Sequence, residues 1–427
     1  MSTRNRLDLV ILGATGFTGK HVVKELTRIG KNYPDITWAV AGRNRNKLEN
    51  VLQEISKKTG DDLSKVEIII ADVEDKISIM EMCCQAEVLV NCCGPFVQYG
   101  EVVVSTAIDS KTHYVDVSGE TQFIELLEEK YDQPAREAGV YVINACGLSS
   151  IPADLGVSFL EQNFGGTLNS VESYLITHFP PKMMAESKRN GIIRYSSWVS
   201  IINSMAYISM KKIRQRPCFD VEPELKQRCL LHKNLNKWCL PFPGADSFVV
   251  HRTQRHLLAT DGKRPVQYKP YITFPSIFSA IGTIIGCILL FILSKIPCTR
   301  RLLLKHPKFC SFGLVTYGDP NESAMDGSRF QYDMLGRGWD EGTDVGGTPD
   351  KRVVARVSLS GVDPAYVGTA VGIVLSAIAI LKEKDKLPPT SGVMTAGVAF
   401  RKTSILKHLQ ENDFKFEIVE NYKQSKE

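Results

Sequence analysis

Up to Asn144 the apolar residues come in short, nearly unbroken runs: Leu7–Leu12, Thr37–Ala41, Val66–Ala71, Val88–Asn91, His113–Val117 and Val140–Asn144. Runs this short and this apolar suit strands buried on both faces of a parallel sheet. Between them the apolar positions recur at helical spacing. This predicts a helix from Thr18 onward, with Val22, Val23, Leu26 and Ile29 inward, and others over Asn46–Lys57, about Glu101–Ser110 and Gln122–Glu137. Strands alternating with helices predict an α/β fold built on a Rossmann-type doubly wound parallel sheet.

From Ile151 to Gly361 the pattern loosens. Val171–His178, Asp246–Thr253 and Lys351–Ser360 read as strands and Asn190–Met210 as a helix, while Pro180, Pro181 and Lys182 mark a loop and Gly336–Gly347 a mobile glycine-rich one. A second, mixed α/β domain carrying an apolar insertion is the expectation. Beyond it, Pro364–Lys382 reads as a strong helix with Asp363 as N-cap and proline in the first turn. Leu387-Pro388-Pro389, the small-residue segment Gly392–Phe400, a helix over Lys402–Gln410 and a strand over Phe414–Val419 follow. The expected division is therefore 1–150, 151–361 and 362–427.

The first run leads straight into the chemistry. In Leu7–Lys20, LDLVILGATGFTGK, the strand is followed by Gly13, Gly16 and Gly19 in the pattern G-x-x-G-x-x-G and then by a helix. Gly13 permits a tight turn, Gly16 leaves room for a pyrophosphate against the backbone, and Gly19 lets the helix lie close to the sheet. The helix dipole and its orphan N–H groups then favour a phosphate, which makes Gly13, Ala14, Thr15, Gly16, Phe17 and Thr18 the expected dinucleotide contacts. A purely structural glycine turn is the alternative.

At the end of the second strand an NAD site would carry an acidic residue for the ribose 2′-hydroxyl. Arg43 stands there instead, with Arg45 and Lys47 close behind. A guanidinium fork matches a phosphate, so the expected cofactor is NADP(H); plain solvated charges opening the next helix are the alternative. Asp72, ending the third strand, is placed for the adenine side. Cys93, Gly94 and Pro95, following the fourth, are placed for the nicotinamide half.

Composition narrows the class. A chain of 427 residues is too long for one ordinary domain, and 43% hydrophobic with 23% charged residues is globular. A net charge of +5 without a basic block interleaved with aromatics argues against a nucleic-acid partner. The eleven cysteines are odd in number, lack C-x-x-C spacing and follow nothing resembling a signal peptide. They read as reduced cysteines of a cytosol-facing protein, with no metal site among them.

GATGFTG, AGRN, NCCGPF, YVDVSGE and NACGLSSIPADLG, each at a strand end, together with DPAYVGTAVGIVLSAIAIL and GVMTAGVAF, resemble the saccharopine dehydrogenase family. The likeness is greatest to its eukaryotic dehydrogenase-like oxidoreductase branch and spans essentially the whole chain. It implies a two-domain oxidoreductase with an NADP-type cofactor at the glycine turn and a long C-terminal helix returning to the nucleotide domain. Saccharopine-forming members carry a G-L-D-P-G type loop after the sixth strand and a histidine shortly downstream. Here the loop reads Gly147-Leu148-Ser149-Ser150-Ile151-Pro152-Ala153-Asp154, which turns the expected substrate away from saccharopine itself. A bacterial branch that the chain also resembles contains trans-acting enoyl reductases of lipid biosynthesis, which keeps a lipidic alkene among the substrates.

Tyr271–Leu293, within the insertion 271–294, has no charge between Lys269 and Lys295 and is long enough to suggest a bilayer segment. A simple span would leave one family domain divided between opposite sides of a membrane. Lys263, Arg264 and Lys269 at one end and Lys295, Arg300, Arg301, Lys305 and Lys308 at the other both read as cytosolic. With Pro275, Gly282 and Gly286 placed for a re-entrant bend, Ile272–Leu293 reads as a monotopic insertion into a membrane leaflet or lipid-droplet monolayer. Burial in the second domain or in a homodimer interface is the alternative.

Hydride transfer to a carbonyl or imine needs a proton donor. Cys93, Tyr99, Glu120, Ser149 and His178 are the candidates by position, and none is singled out. Two functions follow: an NADP(H)-dependent oxidoreductase acting on a lipidic or amino-acid-derived substrate at a lipid surface, or a nucleotide-binding protein there without turnover.

Overall fold

The computed structural model describes residues 6–148, 150–180, 191–207, 219, 221–234, 236–319, 327–360 and 363–423. In chain order the strands are β1 Leu7–Leu12, β2 Trp38–Gly42, β3 Glu67–Ile70, β4 Ala86–Asn91, β5 His113–Asp116, β6 Tyr141–Ile143, β7 Gly166–His178, β8 Ile193–Arg194, β9 His232–Asn234, β10 Lys237–Pro241, β11 Gln267–Phe274, β12 Val315–Thr316, β13 Arg329–Asp340, β14 Lys351–Leu359, β15 Gly392–Met394 and β16 Phe414–Lys423. The helices are α1 Phe17–Ile29, α2 Arg45–Thr59, α3 Lys76–Cys83, α4 Phe96–Asp109, α5 Thr121–Ala138, α6 Ser150–Gln162, α7 Tyr195–Tyr207, α8 Asp246–Asp261, α9 Ile277–Lys295, α10 Pro297–Lys305, α11 Pro307–Cys310, α12 Thr369–Lys382, α13 Ala396–Ala399 and α14 Ile405–Gln410. They form two compact units, one of Met1–Leu148 with Pro364–Asn412, the other of Ser149–Asp363 with Asp413–Glu427.

The first unit holds a sheet in the order β15-β6-β5-β4-β1-β2-β3, parallel throughout. The strand order reverses at β1, between β2 and β4, which is the switch point where a doubly wound sheet opens a crevice for a ligand. The uninterrupted apolar run of β1 is explained by its place, since Leu9, Val10 and Ile11 are fully buried. α4 begins at Phe96, well before the expected Glu101, because its first turn is capped by a carboxylate from another loop. α12 follows a π-helical turn, Pro364–Gly368, and packs on α1, β4 and β5, so its run of apolar residues is a core helix.

Segment 362–427, expected as one region, is split between the units. β15 extends the first sheet beside β6, while β16 pairs antiparallel with β14 in the second.

The second unit is a mixed sheet, β16-β14-β13-β7-β11-β10-β9, with α6 and α8 packed on it. Three expectations are corrected here. Asp246–Thr253 alternates like a strand, yet it opens helix α8: Val249, Val250, Thr253 and Leu257 make one buried helical stripe, and Gly262 in the left-handed conformation ends it. Gly336–Gly347 is not one loop. β13 runs through Gly336 and Gly338, and a Cβ at Gly338 would lie 2.0 Å from the Thr167 carbonyl oxygen, so glycine there reflects close strand approach.

The apolar stretch, finally, is two elements. Tyr271 to Phe274 completes β11, with Tyr271 buried; the chain turns at Pro275, and Ser276 caps α9 by accepting a hydrogen bond from the Phe278 N–H. Gly282 and Gly286 lie inside this continuous helix, not at a bend. Of the expected helix 190–210, Tyr195–Tyr207 is described, and Asn190 and 208–210 lie outside the described residues. This helix packs with α9 and α10 around Trp198, Ile202, Leu303 and Val315.

Candidate functional site

The glycine turn is built by close backbone approach. Gly13 has φ of +82°, which glycine adopts without penalty, and a Cβ there would sit 3.1 Å from the Cys93 nitrogen. The turn is closed by the Gly16 N–H donating to the Gly13 carbonyl at 2.9 Å. At Gly19 a Cβ would come within 2.2 Å of the Gly13 oxygen, so α1 can begin this near β1 only with glycine.

α2 and α3 have side-chain caps, Asn44 and Asp75, but the N-cap of α1 is Gly16, with no side chain to bond its amides. The N–H groups of Thr18 and Gly19 therefore aim out of an uncapped, partially positive helix end. Thr15, Gly16 and Thr18 are partly exposed around it, and Ala14 is buried. The ring of Phe17 is buried, edge-on to Tyr366 at 4.4 Å and His21 at 4.9 Å, which leaves its backbone at the turn.

Arg43, Asp72 and Cys93, taken from three different strand ends, come within electrostatic range of one another. Arg43 is exposed just beyond β2, and among the described residues none forms an ion pair with it. The Asp72 carboxylate accepts from the Glu74 N–H at 3.1 Å and so shapes its own loop. Burial pushes the Cys93 thiol up, Arg43 pulls it down and Asp72 pushes it up again, with burial prevailing. A thiol held protonated in this way is no ready nucleophile. Gly94 and Pro95 are partly exposed beside it.

A buried network absent from the sequence-based expectations holds this loop. The Cys93 N–H donates to Asn91 Oδ1 at 2.8 Å, Asn91 Nδ2 donates to the Tyr114 hydroxyl at 3.0 Å, and that hydroxyl donates to Asp116 Oδ2 at 2.9 Å. Asp116 Oδ1 accepts from the Ser118 N–H and Oγ and from the Ala145 N–H. Burial raises the Asp116 carboxyl against the pull of the Ser118 hydrogen bonds. The chain thus ties the loops after β4, β5 and β6 together from beneath. The signal in the sequence was faint: polar residues at the ends of strands that are otherwise apolar.

The proton-donor candidates separate. Glu120 is the cap of α4, its two oxygens accepting from the N–H groups of Phe96 at 3.0 Å and Val97 at 2.8 Å. The Tyr99 hydroxyl accepts from Gln98 at 2.9 Å, and its ring packs on the core. His178 is exposed at the end of β7 in the second unit. Ser149 lies outside the described residues.

A different kind of surface occurs on α9. Phe278, Ile281, Ile285, Ile288, Leu289 and Ile292 are all exposed, at 40% or more, and only Ala280 and Ser294 are buried. α9 and the stretch Pro364–Lys382 are both long and apolar enough to cross a membrane, but the second is mostly buried and α9 is not.

Residues 9–143 match the family model described as the saccharopine dehydrogenase NADP binding domain. The human saccharopine dehydrogenase-like oxidoreductase is 35% identical over 98% of this chain and 99% of its own length. A Caenorhabditis elegans protein named lipid droplet localized protein is also 35% identical, over 98% and 99%. The solved apo saccharopine dehydrogenase (L-Glu forming) from Saccharomyces cerevisiae aligns over 96% of this chain and 99% of its own, at 16% identity and a TM-score of 0.55, a likeness of fold. With a glycine turn of this geometry and relatives matching end to end, the chain belongs to the saccharopine dehydrogenase-like oxidoreductase family and carries its NADP-binding domain.

Proposed function

We propose that the protein is an NADP(H)-dependent oxidoreductase acting at a lipid-droplet or membrane surface on a lipidic substrate other than saccharopine. The observation that carries this reading is the presence, in one chain, of an uncapped glycine-turn phosphate site and a helix that leaves its apolar side chains in water. Burying six such side chains on α9 is worth on the order of 10 kcal/mol, comparable to the stability of a whole domain, so an apolar phase is their natural surrounding. The name of the C. elegans relative supports a droplet surface. Ser149-Ser150 in place of the saccharopine-type loop supports the change of substrate.

Thermal protection by NADPH is the first test, and failure of both NADPH and NADH to raise the melting temperature would sink the cofactor assignment. The second is NADPH oxidation monitored with lipid enones, aldehydes and imines. The engagement of Glu120 as a cap favours the second reading, a nucleotide-binding protein at a lipid surface without turnover. Protection by NADPH with no oxidation in any lipid extract would decide for it.

A further inference from the structure

We propose that the turn after the apolar helix, Ile296–Tyr317, is a second lipid contact that selects anionic phospholipid headgroups. It rests on the lipid-surface reading above and adds a headgroup preference and a separate point of attachment.

The first observation is charge. From Gly262 to Gly318 the chain has no aspartate or glutamate, while it carries Lys263, Arg264, Lys269, Lys295, Arg300, Arg301, Lys305 and Lys308. Several of these are engaged by the protein: Lys263 pairs with Glu161, Lys269 Nζ donates to the Leu225 carbonyl, and Lys295 Nζ donates to the Ala206 carbonyl. Arg301, Lys305 and Lys308 are exposed, and among the described residues none forms an ion pair with them.

The second observation is an aromatic edge within the same turn. Phe309 is 83% and Phe312 92% exposed, and Leu302, in α10, is 51% exposed. Phe312 has φ of +53°, the left-handed region that a bulky side chain rarely enters. Hydrogen bonds hold it there: the Phe312 N–H donates to the Phe309 carbonyl at 3.2 Å, the Gly313 N–H to the Lys308 carbonyl at 2.8 Å and the Val315 N–H to Ser311 Oγ at 2.9 Å. Strained backbone usually serves to place a group where it is used, and this one presents a ring to solvent rather than to a core. Behind the turn the platform is firm, with Leu303, Pro307 and Val315 buried and Trp198 Nε1 donating to the Leu303 carbonyl at 3.0 Å.

Exposed aromatic rings and exposed cations in one turn match the boundary between acyl chains and phosphates. The rings enter the apolar layer, and the cations meet negative headgroups. Charge complementarity commits the surface to an anionic phospholipid layer.

The test uses the full chain with vesicles of phosphatidylcholine, with and without phosphatidylserine. Wild type should bind the anionic vesicles more tightly. A triple Arg301→Ser, Lys305→Ser, Lys308→Ser variant should lose about 100-fold on them, down to the level on neutral vesicles, at roughly a factor of five per cation. A Phe309→Ser, Phe312→Ser variant should lose at least about 10-fold on both, with unchanged thermal unfolding because neither ring is buried. Equal wild-type binding to the two vesicles, or unchanged binding by these variants, overturns the inference. An Ile285→Ser, Ile288→Ser variant in α9 separates it from the reading above. Loss there with none in the phenylalanine variant overturns the inference and spares that reading, whereas loss in the phenylalanine variant alone supports the inference and removes the role of α9. Conversion of a dimer to a monomer by the phenylalanine variant, with vesicle binding intact, assigns the surface to a second copy of the chain and also overturns it.

Discussion

Single residues carry the testable consequences for nucleotide preference and pH response in the nucleotide-binding unit. Arg43 offers an exposed guanidinium at the end of β2, and a charge-assisted bond to a 2′-phosphate is worth about 1.5–3 kcal/mol. Arg43→Ala should therefore weaken NADPH by roughly 10- to 100-fold and NADH hardly at all, as read by titration calorimetry; equal losses would remove the phosphate argument. His113 carries a pH dependence. It is buried, its Nδ1 accepts from the Tyr141 N–H at 3.1 Å, Glu87 stands 4.0 Å from Nε2, and burial, with Lys384 and Arg6, pushes its pKa down to about 4. Because the folded value lies below the unfolded 6.5, the unfolded chain takes up the proton first as pH falls, and stability is lost between about 6.5 and 4. The cost at pH 5 is about 2 kcal/mol, and His113→Asn should flatten that slope in melts run from about pH 7 to 5. Glu120→Gln should lower stability by about 1 kcal/mol through the weakened cap on α4, and an unchanged melt would contradict the cap. The place of Arg43 at the end of β2 was readable because it closes a short apolar run. The Asp116 network was not, because its members come from strands far apart in sequence and only the sheet brings them together.

Elements were legible where one periodicity dominated. Most strands of the first unit lie in runs buried on both faces, and their parallel sheet followed from the alternation with helices, whereas their order, and β15 as a member, came only from the structure. The reading failed where two periods fit the same residues: DSFVVHRT satisfies alternation over its own length, and only its continuation to Leu257 and Gly262 shows the helical stripe. Glycine misled in β13, where it marks contact with β7 rather than freedom. In α1 it marks contact as well, and the consequence is measurable. Gly19→Ala would set a Cβ 2.2 Å from the Gly13 oxygen and 2.8 Å from the Ala14 Cα, both backbone atoms that cannot swing away. Loss of about 2–3 kcal/mol together with NADPH protection is expected in thermal melts with and without the nucleotide. Loss of stability with protection intact would mean that the turn can relax without disturbing the phosphate site.

At the scale of the whole molecule the chain passes between units at Leu148/Ser149, Asp363/Pro364 and Asn412/Asp413. That threading was only partly legible, because nothing in the composition of 362–427 marks the point where β16 leaves the first unit for the edge of the second. Removal of 414–423 should raise amide exchange in β14, which loses one of its two partners and becomes an edge strand, and leave β1 to β6 protected. Uniform deprotection would show that the two units unfold together. The same threading has a consequence during synthesis. Neither unit can close in the order in which it is made, since β6 waits for β15 and β14 for β16, across long intervals of chain. α9 is translated inside the first of these intervals, so the apolar helix leaves the ribosome before β15 is made and while the second sheet still lacks β13, β14 and β16. A nascent chain in that state needs early shelter, and on the lipid-surface reading proposed above the lipid itself could give it, so that delivery would become a step of folding rather than an event that follows it.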